Sequence, residues 1–390
     1  MIAYNKSWLD NLFIHREADK ALRGSCISAE EARAIRERYP VGFYTPNVFA
    51  RIGFFLLTTV IVLFAAGLLA LLSLGAIERH WNILCIVVAL LSYGALEYLV
   101  RDRHIFRAGA DDALLFTSLI FLVTGLGDLL DLSQTGIALV VFVAGLYGSL
   151  RFANAVMSMV ATLALLAFVF LLYSRLGAFA KASTPFLLIL LCALLYLAVE
   201  KARRQERWKR YSDCLTMVSI VLLVCFYLAG NFFAVRETSN SLFGLHLREG
   251  EGIPGGWFFW CWTILVPPVY ITFGILKKDV IRLRTGLLLT GLIVFTVRYY
   301  YHMLPLETAM VAGGALLIGI AWALTRRLAT PRYGFTHFPA TDPHLMDKLQ
   351  VESLVIAETF HPAMPAAPDP ETGFRFGGGS GSGGGASGEF

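Results

Sequence analysis

The chain has 390 residues, 57% of them hydrophobic and 16% charged, with a formal net charge of +5 and a mean hydropathy of +0.64. An average soluble domain is roughly 45–50% apolar and about 25% charged. So little charge excludes an ordinary soluble protein of this size. The apolar residues come in long runs, which points to an all-α polytopic transmembrane helical bundle.

Residues 1–46 read as a cytosolic helical hairpin. Ser7 is the expected cap of a first helix carrying Trp8, Leu12, Ala18 and Leu22 near one face, and Gly24 suits its C-terminal stop. Ser28-Ala29-Glu30-Glu31 is a capping-box sequence, so a second helix runs to about Arg38 and Pro40 ends it. Two helices this short cannot hold a core alone. They are expected to pack on each other and on the basic membrane loops, or on a cytosolic partner protein.

The run Leu22-Arg23-Gly24-Ser25-Cys26-Ile27-Ser28-Ala29-Glu30-Glu31-Ala32, followed by Ile35 and Arg38-Tyr39-Pro40, resembles the bacterial membrane-protein family built on domain of unknown function 2157. The resemblance is specific over roughly residues 5–75. It implies a cytosolic helical pair followed by a multi-span body in a bacterial inner membrane. The family carries no established activity, so it transfers no functional residue.

A span needs about 20 mainly apolar residues. Ten runs qualify over 47–326: 49–74, 81–100, 113–130, 135–150, 153–173, 185–199, 212–235, 257–276, 280–297 and 306–325. The fourth and sixth are short. The boundary between the fourth and fifth rests on Arg151 and Asn154, and nine spans is the alternative count. The first run starts near residue 49 and is too long for a signal h-region, so it is expected to be a retained anchor.

With the N-terminus inside, all but six of the 33 basic residues fall on the cytoplasmic side. The exceptions are Arg79, Arg175, Lys181, Arg236, Arg248 and Arg298. This bias predicts a multi-pass protein with both termini cytoplasmic. It also predicts anionic lipid headgroups as partners of the basic loops. No basic stretch is interleaved with aromatics on a soluble domain, so nucleic acid is not an expected partner.

Leu90-Leu91-Ser92-Tyr93-Gly94-Ala95-Leu96-Glu97 is similar to Leu194-Leu195-Tyr196-Leu197-Ala198-Val199-Glu200. Each is followed by a basic loop that reaches an acid, Asp112 or Asp213, at the start of the next span. Either a four-span unit is duplicated over 81–173 and 185–297, or Leu-rich spans ending in an acid simply recur. Glu97 and Glu200 are read as interfacial partners of nearby arginines. Asp112 and Asp213 suit helix N-termini. Gly145-Leu146-Tyr147-Gly148 suits close helix packing.

Ionisable and polar groups at membrane depth are costly, so they are the candidate site. Asp128, Asp131, Asn231, Arg298, His302 and Glu307 cluster at the outer ends of spans. They read as a vestibule for a charged solute, with Arg298 closing on Asp128 or Asp131. The plain alternative is an interfacial belt built on Tyr299–Tyr301 with a snorkelling arginine. Pro267 and Pro268 remove two backbone donors from the eighth span and either break it beside a cavity or kink it.

The sequence contains no phosphate loop, nucleophile elbow, zinc helix or dinucleotide fingerprint. No cofactor, metal or catalytic residue is expected. The cytosolic tail at 327–375 holds one amphipathic stretch, and residues 376–390 form a glycine-rich segment. That segment is similar to the tails of TPM-domain membrane proteins and reads as a native tail or an appended linker. The leading functional reading is transport of a small solute or ion. A membrane scaffold or assembly protein is one alternative. An enzyme on lipid or lipid-linked substrates is another.

Overall fold

The computed structural model describes residues 2–72, 77–243, 253, 255–301 and nine helical positions between 308 and 326. The C-terminal tail beyond 326, most of the tenth apolar run, His302 and Glu307 lie outside the described residues.

The N-terminal hairpin consists of α1 (Lys6–Arg23) and α2 (Ala29–Arg38). Asn5, not Ser7, caps α1: its Oδ1 accepts the Ser7 N–H at 3.0 Å and the Ser7 hydroxyl at 2.7 Å. Asn5 holds the extended backbone that a cap needs, whereas Ser7 already lies inside the helix. The capping box of α2 is formed, with the Glu31 N–H donating to Ser28 Oγ and the Ser28 N–H to Glu31 Oε2. Arg36 pairs with Asp19 at 2.6 Å, and Asn11 Nδ2 donates to the Pro40 carbonyl at 2.8 Å. These bonds close the hairpin.

The hairpin is seated on one end of the bundle. The Ala3 N–H donates to the Arg151 carbonyl at 2.8 Å. Tyr4 is buried edge-on against Phe43, Phe106 and Phe152. Burial, reinforced by the neighbouring Asp111 and Asp112 carboxylates, pushes the Tyr4 phenol well above its usual pKa. Trp8 covers Gly42, where a Cβ would come within 2.5 Å of the indole ring.

Among the described residues nine helices are long and apolar enough to cross a membrane. They are α3 (Val48–Leu72), α4 (Ile77–Arg101), α5 (Ala110–Leu129), α6 (Gln134–Phe152), α7 (Ala155–Ser174), α8 (Ala178–Arg203), α9 (Ser212–Gly230), α11 (Gly256–Leu276) and α12 (Val280–Tyr301). Between α9 and α11 lies the shorter α10 (Phe232–Phe243). The protein is an all-α, multi-pass integral membrane protein. Its outward surface fits that solvent: Phe64 and Leu72 of α3 are 77% and 78% exposed. Side chains of that kind are stable facing acyl chains, not water.

Three helices differ from the sequence expectation. The two short runs are full-length, because α6 reaches Phe152 and α8 begins seven residues before Pro185. The seventh run splits: α9 stops at Gly230, and Asn231 turns extended to cap α10, its Oδ1 accepting the Ala234 N–H at 3.1 Å. Apolar residues continue across that break, so hydropathy alone does not mark it.

The helices pair in a repeating order. α4 lies along α5 and α8 along α9, while α6 lies along α7 and α11 along α12. In the same way α3 packs on α5, and α7 on α9. Three spans start alike. Asn47 caps α3, Asn154 caps α7, and Asp279 accepts the Ile281 and Arg282 N–H groups at the start of α12. The spans α4, α5, α6 and α7 thus pair in the same order as α8, α9, α11 and α12, with α10 lying between α9 and α11.

Candidate functional site

The end of the bundle that carries α1 is bound by carboxylates. Asp111 turns the α4–α5 loop by accepting the N–H groups of Arg107, Ala108 and Gly109 at 2.8, 3.0 and 2.9 Å. Asp112 accepts Arg51 of α3 at 2.5 Å and Asn154 Nδ2 at 2.7 Å. Asn154 in turn caps α7, so one carboxylate joins three helices. Asp213 accepts Arg107 at 2.6 Å and Arg16 of the hairpin at 3.3 Å. Asp112 and Asp213 therefore do more than complement a helix dipole.

A second polar group sits deeper, on α4 and α6. Tyr93 and Glu97 lie four residues apart on one face of α4, and Tyr147 and Arg151 are likewise placed on α6. The Tyr93 hydroxyl donates to Glu97 Oε1 at 2.6 Å. Arg151 grips the same carboxylate in bidentate fashion, Nε to Oε1 and an Nη to Oε2, both at 2.9 Å. Arg101 approaches Glu97 at 3.1 Å. The Tyr93 and Tyr147 oxygens are 2.8 Å apart. A phenol has one proton to give. Tyr93 gives its own to Glu97, so Tyr147 donates to Tyr93. The Tyr147 oxygen retains lone pairs, and the residue is 43% exposed.

Those two tyrosines close one end of an apolar groove of about 640 Å³. Leu90, Leu115, Leu119 and Leu122 form one wall, and Leu139, Val143 and Ala144 of α6 form the other. Between Leu115 and Leu126 the groove follows α5 for about 16 Å at roughly 1.5 Å per residue. It exists because α4–α5 and α6–α7 are each tight pairs. Gly145 lets α6 approach α7 closely, where a Cβ would stand 3.3 Å from that of Ala161. The seam between the two pairs is left open.

The later four spans carry a related group. Arg282 Nε donates to the Tyr196 hydroxyl at 2.8 Å, and Glu200 faces Arg203 and Arg204. On α11, Tyr270 donates its hydroxyl to the Leu223 carbonyl. Among the described residues, only the α4–α6 pair presents a phenol to a groove in this manner.

The residues expected to form a vestibule lie on different elements. Asp128 ends α5 and Asp131 lies in the turn before α6, both exposed, and the Asp131 N–H donates to the Asp128 carbonyl. Arg298 lies in the last turn of α12, which packs on α9 and α11 instead. Asn231 is buried and bonded, donating to Tyr227 and Thr296 while it caps α10. His302 and Glu307 fall outside the described residues. Pro267 and Pro268 do not break the eighth span: α11 runs through both. Pro267 is buried, and its carbonyl lies beside Gly286 of α12, where a Cβ would be 3.1 Å away. Pro267 thus sits at a close helix contact, whereas Pro268 is exposed.

The groove group went unread as a site in the sequence, although half of its signal was present. The spacing Tyr93-x-x-x-Glu97, repeated as Tyr196-x-x-x-Glu200, marks the α4 half. Tyr147 and Arg151 join it only through tertiary packing. No protein-family model matches the chain, and searches of the curated proteins and of the solved structures find no match either.

Proposed function

We propose that the protein binds a membrane lipid or lipid-linked molecule, taken up sideways from the bilayer into the α4–α5–α6 groove. The observation that carries this reading is the groove itself: apolar along its length, open on the side, and ended by Tyr147 and Tyr93, behind which Glu97 and Arg151 are bonded. An acyl or isoprenoid chain suits the walls. A headgroup hydroxyl or amine can donate to the Tyr147 oxygen. Glu97 faces two arginines, so the polar end carries a surplus positive charge that suits a phosphate.

Among the three functional classes, this favours action on lipid-type molecules over transport of a hydrophilic solute. A solute pathway needs polar lining at depth. The two larger grooves among the spans, of about 640 and 400 Å³, are lined almost wholly by apolar side chains. The continuous α11 also removes the discontinuous helix on which the transport reading leaned. In the same reading the hairpin end of the bundle faces the cytoplasm of a bacterium, consistent with the charge bias and with the resemblance of residues 5–75 to the domain of unknown function 2157 family.

The test is lipid retention. The full chain, purified in mild detergent, is analysed for bound lipid by native mass spectrometry. Wild type is expected to retain a stoichiometric lipid. Val143→Trp, which fills the groove from its open side, is expected to lose it while keeping its thermal midpoint. Equal lipid retention by both proteins would overturn the reading.

A further inference from the structure

A second cavity, of about 540 Å³, lies between α1 and the 3-10 segment Glu206–Tyr211 that leads into α9. It is separate from the lipid groove. Five of its lining side chains are cationic: Arg16, Arg107, Arg207, Lys209 and Arg210. Three are anionic: Asp10, Glu206 and Asp213.

The surplus is unevenly placed. Arg210 is neutralised by a bidentate pair with Asp10, at 3.0 and 2.8 Å. Arg107 and Arg16 instead converge on a single oxygen, Asp213 Oδ2. One carboxylate cannot balance two guanidinium groups. Among the described residues Arg207 bonds to the neutral Gln205 side chain, at 2.7 Å, and stacks near Trp208. Lys209 stands 3.8 Å from Glu206, whose side chain is 90% exposed, and 4.4 Å from the centre of the Phe13 ring. Leu9, Phe13 and Phe106 make the floor of the cavity apolar, and less water strengthens the electrostatics above it.

We propose that this cleft is an anion site for a phosphate group, and that its ligand clamps the N-terminal hairpin to the bundle. A phosphate carries up to two negative charges and several acceptor oxygens. That matches a surplus of two positive charges and the free guanidinium edges of Arg107 and Arg16. The cations come from both sides of the cleft, Arg16 from α1 and the others from the bundle loops. A bound phosphate therefore bridges them. The phosphate can belong to a soluble molecule or to a lipid headgroup at the membrane surface.

The test uses the full chain in nanodiscs and reads amide hydrogen exchange across Lys6–Arg23. In neutral phosphatidylcholine discs, millimolar pyrophosphate is expected to slow that exchange, which assigns a soluble phosphate. Slowing only when the discs contain phosphatidylglycerol assigns a headgroup. In either case Arg107→Gln is expected to weaken the effect at least tenfold. The double variant Arg207→Gln, Lys209→Gln leaves the Asp213 and Asp10 pairs intact and is expected to weaken it severalfold, so a folding defect at Arg107 does not decide the outcome. No slowing with either phosphate source overturns the proposal. So does equal slowing by chloride at matched ionic strength, or slowing unchanged in both variants.

Discussion

Arg51 and Asp112 meet at 2.5 Å although 61 residues separate them in the chain. Asp112 is the more enclosed partner, its side chain 11% exposed against 44% for Arg51. Removing the cation strands a buried carboxylate, whereas removing the charge of the acid strands nothing comparable. Arg51→Ala is therefore expected to destabilise the protein more than Asp112→Asn. The loss should be about 2–4 kcal/mol, near the low end for breaking a buried pair, because Arg51 is half open to solvent. Thermal unfolding in detergent, followed by loss of the monodisperse peak, orders the two variants. The reverse order would show that Asn154, not Arg51, is the partner that matters.

Gly109 is fixed by the same junction. Its φ is +93°, and a Cβ there would lie 2.0 Å from the Arg51 carbonyl oxygen. The left-handed conformation favours glycine, and the contact is with backbone at the start of α3, which cannot swing aside as a side chain can. Gly109→Ala is expected to abolish accumulation of folded protein in the membrane. Gly177→Ala is a control with positive φ, +112°, but with open space around it. It should cost about 1–3 kcal/mol, from backbone strain alone. Comparable yields of both variants would contradict the close approach.

Docking of the hairpin has a pH dependence of known sign. The bond from Arg210, more than its bare charge, holds the Asp10 carboxyl below its usual pKa. A depressed carboxylate pKa contributes stability above the unfolded value of about 3.9, and that stability is lost as pH falls through the folded value. Exchange protection of α1 should thus be flat from pH 7 to about 5 and fall below about pH 4. The pair is largely exposed, so its share is under about 1 kcal/mol. Asp10→Asn should remove that component of the acid transition. An acid transition unchanged in Asp10→Asn would assign it to other carboxylates.

The spans were legible in the sequence because lipid imposes a length and an apolar character that no packing detail can override. The capping box at Ser28 was legible because it is local. The early end of α9 was not. Gly230 stops there because the Trp262 ring occupies the space of a Cβ, at 2.5 Å, and Asn231 turns away to cap α10. The first of these depends on α11, 32 positions further along. The expected vestibule depends on tertiary packing in the same way. Asp128 lies in the last turn of α5 and Arg298 in the last turn of α12, and α5 packs chiefly on α3, α4 and α6 whereas α12 packs chiefly on α9 and α11. Charge bias fixes the depth of a group, not its azimuth. Tyr93 and Glu97 were visible as one helical face, and Arg151 was visible only as a boundary.

The Tyr147–Tyr93–Glu97 chain yields the last expectation. Tyr93→Phe removes both the donor to Glu97 and the acceptor for Tyr147, while Tyr147→Phe removes only the terminal hydroxyl. Glu97 keeps its bidentate Arg151 partner in either variant, so the carboxylate stays satisfied. Tyr147→Phe is therefore expected to leave stability within about 0.5 kcal/mol of wild type, as for exposed sites. It should weaken lipid retention by about 3- to 10-fold, the value of one hydrogen bond of roughly 1 kcal/mol. Tyr93→Phe should lower stability by about 1 kcal/mol as well, because it removes a bond to a charged group that is mostly enclosed. Lipid titration in nanodiscs, read alongside the thermal midpoint, separates the two effects. If Tyr147→Phe shifts the midpoint and leaves lipid affinity unchanged, the phenol is a strut between α4 and α6 and the headgroup lies elsewhere.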